Sequence, residues 1–205
     1  MKIFGFALFA VAIALASTGL AFGNDAGPPS GSIHAKLKSV EFVDERHGWA
    51  AGADGTMLAT SDAGASWHLQ RSGTTANLNS VDFVDSKHGC AVGDGGTVVA
   101  TSDGGATWHR QASGTGANLN SVKFVDLEHG WAAGDAGTII STSDGGASWH
   151  LQASGTSADL HSIRFVDTRH GWAAGDAGAI AFSIDGGKSW HQQASFVRQV
   201  EERSR

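Results

Sequence analysis

The chain repeats itself four times at a fixed interval of 41 residues. Because each repeat at a period near 40 is one small structural unit that packs on the next, such a pattern is typical of a solenoid or a propeller. The repetition also argues against catalysis, since an active site needs one asymmetric set of groups and most notable residues here occur in every copy. We therefore predict no catalytic residue. The interval is clearest in an aspartate and a tryptophan of each copy: Asp62, Asp103, Asp144 and Asp185, and Trp67, Trp108, Trp149 and Trp190.

The second copy, residues 78–118, predicts four short strands separated by turns. Its apolar and β-branched runs lie at 78–84, 90–93, 97–101 and 108–111. Asp-Gly-Gly sequences separate the second strand from the third, because glycine and aspartate tolerate the positive φ that tight turns require. Four strands in 41 residues form one antiparallel sheet, which is one propeller blade. The predicted fold is therefore an all-β β-propeller built of four-stranded antiparallel blades.

The turn between the third and fourth strands carries the pattern Ser/Thr-x-Asp-x-Gly-x-x-Trp in every copy. The aspartate can accept backbone N–H bonds inside the turn, the glycine can adopt a positive φ, and the tryptophan can bury a large ring beneath the hairpin. We predict that these residues are structural. They are Thr60, Asp62, Gly64 and Trp67; Thr101, Asp103, Gly105 and Trp108; Thr142, Asp144, Gly146 and Trp149; and Ser183, Asp185, Gly187 and Trp190.

This turn is the Asp-box, or BNR repeat, and the wider unit resembles the photosystem II assembly and stability factor family. Residues 124–149 show its pattern nearly in full, from the Phe-Val-Asp of the first strand through His-Gly-Trp to the Asp-box tryptophan. The resemblance extends from Leu37 to about Ser195. It implies a β-propeller (seven-bladed in the members that assist photosystem II), a place in the thylakoid lumen or periplasm, and binding of assembly intermediates without catalysis.

The termini differ from the repeats in composition. Residues 1–23 combine one early lysine with a long apolar run and small residues, which indicates a signal peptide for export. Residues 24–34 contain both prolines and are predicted to be a flexible linker, residues 35–195 form the propeller domain, and residues 196–205 form a charged tail. We expect the protein to lie in the periplasm or to be secreted, or to lie in the thylakoid lumen if its host is photosynthetic.

Composition excludes several classes of function. The net charge is −6 with no basic run, so nucleic acid is not an expected partner. Tyrosine is absent, which excludes a sialidase with a tyrosine nucleophile. The ten histidines mostly recur with the repeat, and equivalent residues on separate blades stand too far apart to share a metal, so we expect no metal and no cofactor. The single cysteine, Cys90, stands where the other copies have tryptophan and is interpreted as a core residue.

Four copies leave the closure of the ring open, because four blades are the lower limit for propellers. Three arrangements fit the sequence: a compact four-bladed ring, an open arc, or two chains joined as one eight-bladed ring. An incomplete or self-associating ring is favoured, because no strand is left over to be shared between the first and last blades.

Differences between the copies gather on the first strand and the turn after it. In a propeller this strand lines the central channel and the turn opens on one rim, so we predict a recognition surface there, although drift at unconstrained positions would produce the same pattern. The candidate partner-binding residues are Glu41, Arg46, Asp82, Lys87, Lys123, Arg164 and Arg169.

We thus predict an exported, noncatalytic scaffold that binds an envelope, periplasmic or lumenal protein complex. In a photosynthetic host, the family resemblance implies photosystem II intermediates as partners. The alternative is a secreted carbohydrate-binding module, because exposed tryptophans stack on sugars. A third interpretation is a degenerate gene product that folds poorly.

Overall fold

The computed structural model describes residues 35–193, so the predicted signal peptide, linker and charged tail lie outside the described residues. Within this range the chain forms four separate four-stranded antiparallel sheets, each from one 41-residue copy. The predicted β-propeller architecture is confirmed. Residues 35–193 contain no helix with the length and hydropathy of a membrane span.

Each sheet follows chain order, so that consecutive strands are neighbours. Blade 1 contains β1 Leu37–Phe42, β2 Gly48–Gly52, β3 Thr56–Thr60 and β4 His68–Arg71. Blade 2 contains β5 Leu78–Phe83, β6 Gly89–Gly93, β7 Thr97–Thr101 and β8 His109–Gln111. Blade 3 contains β9 Leu119–Phe124, β10 Gly130–Gly134, β11 Ile139–Thr142 and β12 His150–Gln152. Blade 4 contains β13 Leu160–Phe165, β14 Gly171–Gly175, β15 Ile180–Ser183 and β16 His191–Gln193.

The second and third strands of each blade are joined by a one-turn 3₁₀ segment. The four segments are Ala53–Gly55, Asp94–Gly96, Asp135–Gly137 and Asp176–Gly178. The middle residue of each has a positive φ, which is 62° at Gly95 but 52° at Ala136 and 54° at Ala177. Since alanine adopts this conformation less readily than glycine, the third and fourth blades carry local backbone strain at this turn.

The glycine of each His-Gly pair is required by close packing. A Cβ built on Gly89 would overlap the ring of Phe83, and one on Gly130 would overlap the ring of Phe124. The phenylalanine at the end of each first strand therefore lies flat over the start of the second strand.

The hydrophobic core of residues 35–193 consists of three clusters, each shared by two neighbouring blades. Leu78, Val81 and Phe83 of β5 pack against Trp49 and Met57 of blade 1. Equivalent residues join blade 2 to blade 3 and blade 3 to blade 4. Because apolar side chains of both blades leave water only when the sheets stack, a single repeat has little core of its own.

Each end blade exposes apolar side chains whose counterparts in the other blades form one half of such a cluster. On blade 1, Leu37, Val40 and Phe42 are 45%, 51% and 37% exposed, whereas their counterparts on β5 are 0–3% exposed. On blade 4, Trp172 and Ile180 are 43% and 37% exposed, whereas their counterparts on blade 1 are buried. Within residues 35–193 no cluster joins blade 4 to blade 1. The four blades thus form an open arc, and the compact four-bladed ring is not formed.

Candidate partner-binding site

The Asp-box turns are held by the same hydrogen bonds in each blade. In blade 2 the hydroxyl of Thr101 donates to Asp103 Oδ1 (2.8 Å) and accepts from the backbone N–H of Gly105 (2.9 Å). Asp103 also accepts from the backbone N–H and the hydroxyl of Thr107, at 2.8 and 2.6 Å. The carboxylate therefore closes the turn.

These hydrogen bonds stabilise the charged carboxylate. They hold the pKa of the four Asp-box aspartates, Asp62, Asp103, Asp144 and Asp185, at about 2, with the hydroxyl and the N–H four residues on as the leading causes. Sequence reasoning missed this hydroxyl residue. Its signal is a Ser or Thr at the same place in every copy: Ser66, Thr107, Ser148 and Ser189.

A second aspartate positions the turn after each first strand. Asp85 Oδ1 accepts from the backbone N–H of Lys87 and of His88, and its other oxygen lies 2.9 Å from His88 Nδ1. The same aspartate–histidine pair occurs at Asp44 and His47, Asp126 and His129, and Asp167 and His170. The recurring histidines of this set are therefore turn residues. No three His, Cys, Asp or Glu side chains among residues 35–193 are grouped to hold a metal ion.

The turn after each first strand, called the rim turn below, is hydrogen-bonded to the Asp-box of the same blade. The carbonyl of Lys87 accepts from Gly104 N, and the carbonyl of Arg169 accepts from Gly186 N, each at 2.9 Å. Arg46 makes the equivalent contact through its carbonyl to Ala63 N at 3.1 Å. The side chains of Arg46, Lys87 and Arg169 are exposed. Rigid backbone with exposed cationic side chains is suited to binding a partner.

The remaining candidate residues form one row across the first strands. Glu41, Asp82, Lys123 and Arg164 occupy the same register position of β1, β5, β9 and β13, each opposite the tryptophan position of its second strand. Burial raises the pKa of Glu41, and the charge of Asp82 raises it further, while Lys123 and Arg164 oppose this. The charges of all three neighbours thus act on Glu41.

Within this row Asp82 is internal. It is 3% exposed, its Oδ1 lies 2.7 Å from Lys123 Nζ, and its Oδ2 accepts from the backbone N–H of Phe124 at 2.8 Å. The Asp82–Lys123 pair thus fixes blade 2 to blade 3. Glu41 is half-buried and Arg164 is exposed, so these two and the rim cations stay accessible. Partner binding by the set remains a prediction.

Some variation among first strands has a structural cause. Asn79 donates to the carbonyl of Leu119 in the next blade, and Asn120 donates to that of Leu160, each at 3.0 Å. At the same position of blade 4, His161 Nε2 instead lies 2.6 Å from Asp176 Oδ1, and this hydrogen bond raises the pKa of His161. In blade 1 the residue is Lys38, which donates to Oδ1 of Asn79 at 2.7 Å, so this position makes a polar contact to the next blade in each of the first three blades.

Cys90 is a core residue, as interpreted from the sequence, and Trp172 lies at the surface. Cys90 is 2% exposed, and burial raises the pKa of its thiol, so it is a poor nucleophile. Trp172 is the exposed tryptophan on which sugar stacking would depend. It stands where Trp49 and Trp131 pack against the following blade, so its exposure results from its place in the last blade.

Comparison with known proteins identifies the repeat. The family model described as photosynthesis system II assembly factor YCF48 matches residues 68–151 and 111–193, which together span 68–193. The chain belongs to this family. The match includes the Asp-boxes of blades 2, 3 and 4 and the first strands that carry Lys123 and Arg164.

Solved structures share the fold at low identity. YCF48 bound to a D1 peptide is 19% identical, with a TM-score of 0.52 over 78% of this chain and 82% of that chain. An ancestral GH74 enzyme is 18% identical with a TM-score of 0.64, over 79% of this chain and 24% of the enzyme. The GH74 enzyme of Niastella koreensis is 15% identical with a TM-score of 0.61, over 74% and 28%. The chain thus spans about a quarter of these enzymes. No curated protein matches it.

Proposed function

We propose that the protein is an exported, noncatalytic scaffold that binds a segment of another protein along the first strands and the adjoining rim. The observation that carries this is the row Glu41, Asp82, Lys123 and Arg164. It places two carboxylates, in blades 1 and 2, and two cations, in blades 3 and 4, at one register position of otherwise matching blades. A surface that is uniform in backbone and varied in charge can distinguish one bound segment from another.

The row also indicates the charge of the partner. Asp82 is neutralised by Lys123, and burial already disfavours the charged form of Glu41. The exposed cations on β13 and the turn after it are Arg164 and Arg169, and the carboxylate between them, Asp167, is hydrogen-bonded to His170. An acidic or carboxylate-bearing segment is the complementary partner, because arginine binds carboxylates through paired hydrogen bonds.

The carboxylates support a noncatalytic role. Those of the Asp-boxes and of the turns after the first strands accept backbone hydrogen bonds, and Asp82 is held by Lys123 and Phe124 N. Glycoside hydrolysis needs two carboxyl groups facing the substrate. On the first strands, Glu41 is the one carboxylate besides Asp82, so this surface does not supply that pair.

Membership of the YCF48 family suggests the partner class. A family member is known bound to a D1 peptide, so in a photosynthetic host we propose photosystem II intermediates as the partner and the thylakoid lumen as the location. In another host, we propose an envelope or periplasmic complex. Export rests on the apolar N-terminal segment, residues 1–23.

Affinity capture tests the proposal. The tagged mature chain is incubated with native membrane and periplasmic fractions, and bound proteins are identified by mass spectrometry. One membrane complex is expected to be enriched, and the double variant Arg164→Glu and Arg169→Glu is expected to lose it. The matched control is Arg71→Glu with Arg110→Glu, two exposed arginines on the outer strands β4 and β8, which carries the same change in charge.

For a photosynthetic host, a labelled D1 peptide replaces the extract, and its anisotropy is measured against the same variants. Equal capture by the two double variants would contradict binding at this surface. Turnover of a polysaccharide by the wild-type chain would contradict the noncatalytic assignment.

A further inference from the structure

A cavity of about 220 Å³ lies between the second and third blades. Its inner wall includes the buried Cys90 and the ring of Phe124, and its rim includes the exposed Leu127. Cys90 occupies the position that is tryptophan in the other three blades. Between blades 3 and 4 the equivalent cavity is lined by Trp131 and does not reach Phe165, so the part of this cavity that extends to the ring of Phe124 is the space that the indole fills there.

The two other interfaces show how that indole is held. Trp49 stacks on Phe83 of the next blade with ring centroids 3.6 Å apart, and Trp131 stacks on Phe165 at the same distance. Each indole also donates its Nε1–H to an Asp-box carbonyl of the next blade. Trp49 bonds to Gly104 O at 3.0 Å, and Trp131 bonds to Gly186 O at 2.9 Å.

The ring and the carbonyl that hold the indole at the other interfaces have counterparts around the cavity. Phe124 keeps the edge-to-face contact with Trp149 (5.9 Å, 89°) that Phe83 makes with Trp108 (5.8 Å, 84°). Its free face has no stacked aromatic partner among residues 35–193. Gly145, the counterpart of Gly104 and Gly186, lines the cavity. Within the same residues no hydrogen bond to its carbonyl is formed.

We propose that this cavity binds an indole ring from a ligand. The ring stacks on Phe124 and donates its N–H to the carbonyl of Gly145, as the protein's own tryptophans do in the flanking interfaces. An apolar cavity of about 150 Å³ is large enough to bind benzene, so the larger volume here suits a bicyclic ring. The rim residues His88, Ser102 and Leu127 leave an entrance from solvent.

The test uses the mature chain and 5-fluoroindole, whose ¹⁹F signal is free of the protein's tryptophan background. Saturable binding to the wild-type chain is expected. Cys90→Trp is expected to abolish it, because the new side chain fills the site, whereas Cys90→Ala is expected to retain it. No saturable binding to the wild-type chain at millimolar ligand, or equal binding to Cys90→Trp, would overturn the proposal.

A second comparison does not depend on the folding of Cys90→Trp. N-methylindole has the same ring system but lacks the donor, so its affinity for the wild-type chain is expected to be about tenfold lower, which corresponds to one hydrogen bond of about 1.4 kcal/mol. Equal affinity of the two compounds would contradict the contact with Gly145.

The ring could belong to a tryptophan of a partner protein or to a small free molecule. N-acetyltryptophanamide, which represents a tryptophan within a peptide, distinguishes the two. Binding of this compound, lost in Cys90→Trp, would assign the site to a tryptophan of a partner protein. Binding of 5-fluoroindole alone would assign it to a small free molecule. Both outcomes are independent of Arg164 and Arg169, so failure here leaves the proposed scaffold function untouched.

The exposed end faces carry a second inference. Leu37, Val40 and Phe42 on blade 1 are the repeat counterparts of Leu78, Val81 and Phe83, which pack against the preceding blade. Trp172 and Ile180 on blade 4 are the counterparts of Trp49 and Met57, which receive the following blade. The two ends are therefore the two halves of one known interface.

We also infer that blade 4 of one copy docks on blade 1 of a second copy, and that two copies close an eight-bladed ring. Eight blades lie within the usual range of propellers. A head-to-tail contact of this kind closes when the rotation per copy completes the circle. In the dimer, Trp172 stacks on Phe42 of the partner copy as Trp49 stacks on Phe83.

Light scattering after size exclusion tests the dimer with the mature chain. The wild-type chain is expected to be dimeric, and Phe42→Asp and Trp172→Arg are each expected to be monomeric. Trp172 is 43% and Phe42 is 37% exposed, and because Phe42 also contacts Trp67 of its own blade, circular dichroism checks that each variant is folded. A mixture of the two variants is expected to recover dimers, because each supplies the face that the other lacks. A monomeric wild-type chain, or no recovery in the mixture, would overturn the inference.

Discussion

The indole of Trp49 lies parallel to the ring of Phe83 in the next blade, with centroids 3.6 Å apart and an interplanar angle of 9°. Trp131 and Phe165 repeat this relationship at 3.6 Å and 6°. In both cases the indole N–H bonds to the Asp-box of the same neighbouring blade. The Asp-box is therefore more than a hairpin turn, because its carbonyl anchors the preceding blade.

Trp131→Ala is expected to lower the free energy of unfolding by about 3–5 kcal/mol, as for other buried large-to-small changes. Trp172→Ala is the matched control, because the same residue at the same register position is 43% exposed. Both changes are made in the Phe42→Asp chain, which is expected to be monomeric, and there the effect of Trp172→Ala should stay below about 1 kcal/mol. Urea denaturation followed by circular dichroism measures both, and equal losses would contradict a packing role for the stacked indole.

Asp103→Ala is expected to lower the melting temperature, because Thr101, Thr107 and the N–H of Thr107 lose their common acceptor. Glu128→Ala removes an exposed carboxylate without side-chain hydrogen bonds and is the control. Differential scanning fluorimetry at neutral pH compares the two. An unchanged melting temperature in Asp103→Ala would show that the turn does not depend on its carboxylate.

Stability is expected to fall in acid between about pH 4 and pH 2. Aspartates of the Asp-boxes have pKa values of about 2 in the folded protein, below the ordinary 3.8. A lowered pKa contributes stability that is present above the unfolded value and lost as pH falls through the folded value. The midpoint of urea unfolding, measured from pH 6 to pH 2, should decrease mainly below pH 4. A flat profile would contradict the low pKa values.

Lys123→Met is expected to destabilise the chain by about 2 kcal/mol, because it leaves the buried carboxylate of Asp82 without its cation. The double variant Asp82→Asn with Lys123→Met should recover part of the loss, since the remaining polar group is neutral. A double-mutant cycle with Asp82→Asn gives the coupling free energy. Strict additivity would mean that the pair contributes nothing to the contact between blades.

Much of a single blade could be predicted from sequence because its signals are local. The strands of the second copy were placed within one residue of those observed, and the turn residues have the predicted structural contacts. The hydrogen bonds of a turn join residues two to four positions apart, and the same spacing recurs in all four copies of the repeat. The hydroxyl of Thr107 belongs to the same local signal, but the motif Ser/Thr-x-Asp-x-Gly-x-x-Trp leaves its position unspecified.

Contacts between blades could not be predicted in the same way. Asn79 and Leu119 are 40 residues apart, as are the partners in each equivalent contact. Aspartate is a residue type that usually lies at the surface, yet Asp82 is buried and bonds to Lys123 and to the backbone N–H of Phe124. Whether a polar residue faces solvent or the next sheet depends on how the sheets stack, and the pattern within one strand does not contain that information.

The sequence by itself determined the repeat, the Asp-box turns, the four-stranded blades and the unusual place of Cys90, because each depends on neighbouring residues or on comparison of the copies. Only the tertiary structure decided that the arc is open, that its end faces are apolar, and that the missing indole leaves a cavity beside Phe124. These features arise from the angle and distance between stacked sheets. Those quantities are set by side chains far apart in the chain.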